Sequence, residues 1–217
     1  MKTKGILACL VSLLLLSCGD GENNFKIEGS FGGFNQGELY VYGLNGTHKL
    51  DTIAVSRGEF IYKIAITEPT TLVVVFPNYS EIPVFAEPGV TIKINGDASH
   101  LKETEVKGTD TNKEMTEFHL RTNSMTPPQM LSEAEKFISE HSASPISVYL
   151  LNKYFIQTSE PDYAKVQKLA KTILDASPDN RRLSAVVSKL EGLKALKVGN
   201  RLPQFFAAGL NGESISS

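Results

Sequence analysis

Tryptophan is absent from the 217 residues, and cysteine and histidine are scarce, with two and four copies. Two cysteines cannot build a disulfide scaffold or a cysteine-rich zinc site. Neither sign of charge dominates: 22 basic and 24 acidic side chains leave a formal charge of −2, so no positive field exists to draw nucleic acid. No apolar run reaches the ~20 residues that a spanning helix needs. Apolar residues at 41% and charged residues at 21% exclude global disorder and collagen-like repetition. A chain of this length buries roughly 70% of its unfolded surface, enough for one large domain or two small ones.

Residues 1–17 read as a targeting segment. Lys2 and Lys4 make a positive start, and Ile6 to Leu16 is an apolar run of 11 residues, the length of a secretory hydrophobic region. Leu15-Leu16-Ser17-Cys18 resembles the bacterial lipobox. That resemblance implies that the Cys18 thiol receives a diacylglyceryl group, that the peptide before it is removed, and that the new amino group is acylated. An ordinary signal peptide puts small residues at −3 and −1 and has no reason to place cysteine after them. Cys9 lies in the removed segment as a small apolar spacer, so no free thiol is left. Several acyl chains, at ~0.8 kcal/mol per buried methylene, make a stable anchor.

After a polar tether (18–24, with Gly19 to Asn24 reading GDGENN), the pattern from 25 to 108 is β. Phe25, Ile27, Gly29 and Phe31 alternate with polar residues; Phe60, Tyr62, Ile64 and Ile66 recur with the same period of two, as do Val90, Ile92 and Ile94. Thr71 to Phe76 is continuously apolar and predicts a strand covered on both faces. Asn35-Gln36-Gly37, Asn45-Gly46, Arg57-Gly58, Pro88-Gly89 and Asn95-Gly96 read as turns. At Thr109 the period changes to helical. Thr111 to Glu114 has a capping-box pattern, with Met115, Phe118, Thr122 and Met125 on one face. Pro127-Pro128 breaks that helix, and Met130, Leu131, Ala134, Phe137 and Ile138 form the next stripe. Ser144-Pro145 opens a helix that is apolar almost all round through Ile156 and so belongs at the centre of a helical layer. Two further stripes run through Tyr163 to Leu174 and, after Ser177-Pro178, through Leu183 to Leu193. Pro203 to Phe206 and Asn211 to Glu213 suggest two short strands around a turn. The expected fold class is α+β: an antiparallel β-sandwich or open barrel of about eight strands, then a bundle of about five short helices (109–197).

This order resembles a group of Bacteroidetes-type lipoproteins. In these a lipobox precedes a β domain of unknown function, a helical segment follows, and a thioredoxin-like domain of the thiol–disulfide interchange or alkyl hydroperoxide reductase type ends the chain. The resemblance rests on Phe25, Ile27 and Gly29; on Asp51, Thr52, Val55, Gly58 and Phe60; on Phe85, Glu87, Pro88 and Gly89; on Val106, Gly108, Thr109 and Asn112; and on Ile138, His141, Ser144 and Ile146. It continues through Val198, Gly199, Pro203, Phe205 and Asn211-Gly212, which makes 198–217 an incomplete opening hairpin of a thioredoxin-like domain. The family's Cys-x-x-Cys has no matching residues here, so its catalytic cysteines are not carried over.

The remaining signals favour structure over chemistry. His48, His100, His119 and His141 are scattered, and His141 beside a helix end reads as a carbonyl partner. Gly29, Gly32 and Gly33 precede no helix, so turn geometry explains them better than a phosphate loop. Asn45-Gly46-Thr47 and Asn78-Tyr79-Ser80 match the glycosylation pattern but read as turns. Glu38, Glu59 and Glu87 fall on different strands and make no acid–base pair. Tyr40, Tyr42, Tyr62 and Tyr79 read as core before they read as a binding face. Cys18 is the one expected site residue, for lipid attachment; no catalytic residue, metal ligand or cofactor is expected. The expectation is a non-catalytic lipoprotein of the bacterial cell envelope, on the outer membrane facing the periplasm or the surface. It would be the front module of a thioredoxin-like oxidoreductase, partnered by the membrane and by a thioredoxin-like or other envelope protein, with no nucleic acid. The alternatives are a stand-alone binding lipoprotein for a peptide, glycan or hydrophobic ligand, and an interrupted reductase gene.

Overall fold

A computed structural model describes residues 23–194, 204, 206–209, 211 and 213–216. The expected signal segment, Cys9, Cys18 and most of the expected tether lie outside the described residues, as do Val198, Gly199, Pro203, Phe205 and Gly212. Eight strands form one sheet: β1 (Asn24–Gly32), β2 (Gln36–Gly43), β3 (Asp51–Ser56), β4 (Glu59–Ala65), β5 (Thr70–Val75), β6 (Glu81–Ala86), β7 (Thr91–Asp97) and β8 (Glu105–Lys107). Their order is β6-β5-β2-β3-β4-β1-β7-β8, curled into a nearly closed barrel. All neighbours are antiparallel except β1 and β7, which run parallel with Ile27 opposite Ile92.

The alternation read from the sequence sets the inside of the barrel. Each of the eight strands contributes to a single core that includes Phe25, Leu39, Ile53, Phe60, Leu72, Val84, Ile92 and Val106. Arg57 and Gly58 both have positive φ, 55° and 79°, the twist that a two-residue hairpin between β3 and β4 requires. Asn95-Gly96 is not a turn; both residues lie inside β7. Gly96 is small for packing, since a Cβ there would come within 2.8 Å of the Phe31 ring. Gly29 has the same role under Phe60, whose ring carbons lie 2.0 Å from where its Cβ would be.

Five helices follow: α1 (Asp110–Thr122), α2 (Pro127–Glu140), α3 (Pro145–Leu151), α4 (Tyr163–Ala176) and α5 (Arg181–Lys194). They pack on the outside of β2, β5 and β6. Val73 and Phe85 join Phe118, Ile138, Ile146, Leu150 and Leu169 in a second core. That explains the continuous apolar run of β5: Leu72 and Val74 face the barrel interior, and Val73 faces the helices. Several boundaries differ from the sequence pattern. The α1 cap is Thr109, whose hydroxyl accepts from Asn112 N–H at 3.2 Å, not Thr111. Pro127-Pro128 does not break α1, which ends at Thr122 and leaves Met125 beyond it; the pair opens α2, with Gln129 accepting from the Thr126 N–H at 2.9 Å. Ser177 closes α4, and the Asn180 side chain caps α5 by accepting from Leu183 N–H at 3.0 Å. The fully apolar helix stops being α at Leu151 and continues as a π turn, Asn152–Ile156. A short pair, β9 (Phe206–Ala208) and β10 (Ser214–Ser216), is exposed throughout.

The two barrel edges, β6 and β8, are not bonded to each other; α1 lies across the gap. The Asn112 side chain accepts from Phe85 N–H at 2.9 Å and donates to Phe85 C=O at 2.8 Å. One turn on, the Thr116 hydroxyl accepts from Val106 N–H at 3.0 Å. It also lies 3.2 Å from Val106 C=O and 3.0 Å from Asn112 C=O, which share its proton. Two side chains spaced i, i+4 thus replace the missing strand pairing. Replacing Asn112 by Ala strands a buried N–H and a buried C=O on Phe85, a loss of about 2–4 kcal/mol. Urea unfolding of Asn112→Ala is expected to show that loss; a stability within about 0.5 kcal/mol of the parent would remove the clasp from the account.

Candidate functional site

Below the clasp, where no side chain of α1 bridges the two edges, a cleft of about 280 Å³ opens between β6, the loop before β8, α1 and the π turn. Its floor is apolar and rich in sulfur: Met115, Met125 and Met130 line it together with Ile82, Leu101, Tyr149 and Tyr154. Met1 aside, these are all the methionines of the chain. Flexible thioethers make a floor that can repack around different apolar groups. The sequence places these methionines on apolar stripes; only the fold shows that they share a cavity.

The polar wall is built by two neighbouring elements. Lys153, at the second position of the π turn, forms an ion pair with the Glu81 carboxylate at the start of β6. Tyr42, on the outer face of β2, donates its hydroxyl proton to the other Glu81 oxygen at 3.2 Å. Burial, and then the Glu81 charge, pushes the Tyr42 hydroxyl up to about 12, so it remains a donor. Tyr149 and Tyr154 are raised too, mainly by burial. His119 faces the same space from α1. Burial, and then the nearby Lys153 charge, lowers its imidazole to about 4, so it is neutral near pH 7. The Thr104 hydroxyl is buried and has no partner. At the rim stands Tyr79, 87% exposed and held at φ +64°, a conformation that is costly for a side chain of this size. A neutral imidazole can accept or donate one hydrogen bond, and the ion pair offers further donors and acceptors.

The histidines do not converge. His48 sits beside Tyr62: the two are 2.9 Å apart, and Tyr62 donates to Asp51 at 3.2 Å. His48 Nε2–H therefore donates to the Tyr62 oxygen. His100 lies 3.9 Å from Asp97. The His141 ring does not bond a helix carbonyl; its Nδ1 is 3.1 Å from Glu114 Oε1 and the ring stacks on Phe137. Among the described residues no group of three His, Cys, Asp or Glu could hold a metal ion. Nor is any helix there long and apolar enough to cross a membrane. Of the four tyrosines, Tyr62 is core, Tyr42 is half-buried, and Tyr40 and Tyr79 are exposed at separate places. Gly29 and Gly32 lie in β1 and Gly33 in the turn after it, with no helix to follow. A larger cavity of about 590 Å³ lies between the barrel end and the starts of α3 and α5, where Thr47 and Thr70 carry buried hydroxyls without partners. The ion pair and the displaced imidazole gather at the smaller cleft, which makes it the candidate site.

Sequence reading missed Glu81, Lys153 and His119. Two signals were present: Glu81 opens a strand that is otherwise apolar, and Lys153 interrupts a helix that is apolar almost all round.

Residues 25–115 match the family model described as Domain of unknown function (DUF4369). The match spans the whole barrel and runs into α1, taking in Asn112 and Met115. No curated protein matches the chain, and no solved structure does.

The low basicity of His119 has a stability consequence with a definite sign. The unfolded chain takes up this proton near the ordinary value of 6.5, and the folded chain only near 4. Stability is full above that upper value and falls as the pH drops through this window, by about 1–3 kcal/mol. Carboxylates with lowered values, Glu28 and Asp97, contribute a separate loss at lower pH. The difference between the parent and His119→Gln isolates the imidazole. Urea midpoints of the two are expected to converge between pH 7 and 4; parallel curves would mean that His119 is not buried as a neutral ring.

Proposed function

We propose that the chain is a lipid-anchored, non-catalytic module of the cell envelope. It serves a thioredoxin-like thiol–disulfide oxidoreductase by positioning it or by engaging its client or partner. The observation that carries this reading is the coincidence of two independent signals. The DUF4369 match covers 25–115, the stretch in which the ordered motifs place the family's β domain, and Leu15-Leu16-Ser17-Cys18, which resembles a lipobox, ends a short way before it. A tether of seven residues spans at most about 25 Å when fully extended, so an acylated Cys18 would hold the barrel against the bilayer surface. The only cysteines in the sequence are Cys9 and Cys18, so a thiolate for disulfide exchange must be supplied from outside these residues. The second reading, a stand-alone binding lipoprotein, is favoured by one observation: the cleft with its Met floor and charged wall.

Replacing Cys18 by Ala is expected to shift the protein from the membrane fraction to a soluble or unprocessed form. A variant that still partitions with membranes, cut at the same place, would dismiss the anchor. The purified chain is expected to give no insulin-reduction turnover with dithiothreitol above a no-protein control. Turnover that persists in Cys18→Ser would show a redox activity that this reading excludes.

A further inference from the structure

Hydrogen-bond parity along β6 identifies an unfilled position in the sheet. Phe76 N–H bonds Ser80 C=O at 2.9 Å, so 76 and 80 form a hydrogen-bonded pair, and by alternation so do 74 and 82, 72 and 84. The N–H and C=O groups of residues 81, 83 and 85 therefore point away from β5, toward the seam. Those of Phe85 are taken by Asn112. Pro83 has no N–H, as an edge position allows. The Glu81 N–H and C=O and the Pro83 C=O face the cleft, and no side chain of the described residues bonds them. Across the cleft, Thr104 stands just before β8, with its hydroxyl buried against Gly96 of β7.

We infer that the cleft binds an extended segment of another polypeptide, which adds to the β6 edge and lays one apolar side chain on the floor between Met115 and Met130. Strand addition supplies main-chain bonds to the free edge groups, and a pocket for alternate side chains gives the selectivity. The charges of the wall fit this occupant. Lys153 and Glu81 cancel each other, and the other charge of the lining, Lys102, is solvent-exposed beside the Asn123 carbonyl, so the inner wall presents hydrogen-bonding dipoles, which match an uncharged peptide backbone. Tyr79 at the rim carries a backbone conformation in which glycine would be unstrained. The φ belongs to the three-residue loop between β5 and β6, in which Tyr79 N–H bonds Phe76 C=O at 2.8 Å and Phe76 N–H bonds Ser80 C=O at 2.9 Å; an exposed tyrosine in place of glycine there fits a ligand contact at the rim. The inference deepens the reading above by naming the client chemistry. It stands apart from the anchor: loss of Cys18 attachment would sink the anchor and leave peptide binding untouched, and the reverse also holds.

The test uses the purified full-length chain in mild detergent. The probe is a seven-residue peptide, acetylated and amidated, of alternating threonine and valine with a central phenylalanine. Calorimetric titration is expected to show saturable binding. N-methylation of the peptide bonds that face β6 is expected to weaken it about tenfold or more. Tyr79→Gly removes the rim contact while relieving the backbone, so affinity is expected to fall about fivefold while the thermal midpoint holds or rises. Three results would overturn the inference: no saturable binding by protein with an unchanged circular dichroism spectrum; binding that ignores N-methylation; or displacement of the peptide by glucose, galactose or N-acetylglucosamine, which would make the cleft a glycan site.

Discussion

The barrel depends on a substitution of side chain for strand. An eight-stranded sheet that does not quite close leaves two edges, each with main-chain groups that must find partners once buried. Here α1 lies in the gap and offers Asn112 and Thr116 to Phe85 and Val106. The carboxamide accepts and donates in one plane, as a peptide unit does, so it reads a strand edge as another strand would. Its geometry is fixed in turn by the helix cap, since the Asn112 amide also donates to the Thr109 hydroxyl at 2.7 Å. The start of the helix and the closure of the barrel are one hydrogen-bonded unit.

That unit sets the position of everything after it. With α1 pinned over the seam, Met115 and Phe118 point into the second core, and α2 and α3 pack on α1 and on the outer face of β5 and β6. The clasp also has a limited reach. Two residues one helical turn apart span about 6 Å along the axis, less than the length of β6. The part of the edge beyond Asn112 is left without a cover, and the cleft is that remainder. The cavity therefore follows from a helix that is shorter in its contacts than the strand it completes.

Period-two alternation made the barrel legible, because the inward residues of β1, β4 and β7 are apolar or glycine and their outward neighbours are mostly polar, with Ile61 the large exception. The continuous run in β5 announced burial on both faces for the same reason. Helix positions were legible from stripes, and their ends less so. Thr109 and Thr111 are both plausible caps in one dimension, and only the need of Asn112 to reach Phe85 selects the first. Asn95-Gly96 misled because a glycine demanded by a neighbouring ring looks like a glycine demanded by a turn. The candidate site was illegible as a site because its parts are 72 residues apart in the case of Glu81 and Lys153, and neither has a spacing rule. Asn112 was visible as a residue of the resembled motif, alongside Phe85 and Val106, yet the motif alone gave no reason for their joint presence. The hydrogen bonds supply it.

The charged wall is built on the π turn. A straight continuation of α3 would carry Lys153 and Tyr154 round at the α-helical angle of 100° per residue. The wider turn from Asn152, closed by Gln157 N–H on Asn152 C=O at 2.9 Å, changes that angle and widens the backbone locally. Such turns cost helix stability and persist where a side chain must be re-aimed. Lys153 is the second residue of this turn, and its partner is Glu81. A half-buried ion pair contributes little net stability, because desolvation offsets most of the attraction. Two unfavourable local choices, a π turn and a half-buried lysine, therefore converge on one wall of one cleft, opposite a histidine kept neutral and beneath a strained tyrosine. Stability of the fold does not require that combination; an apolar residue at each of the two charged positions would pack the same wall more simply. The ion pair, the neutral imidazole and the methionine floor thus share one cleft because α1 and the π turn meet at the uncovered end of β6.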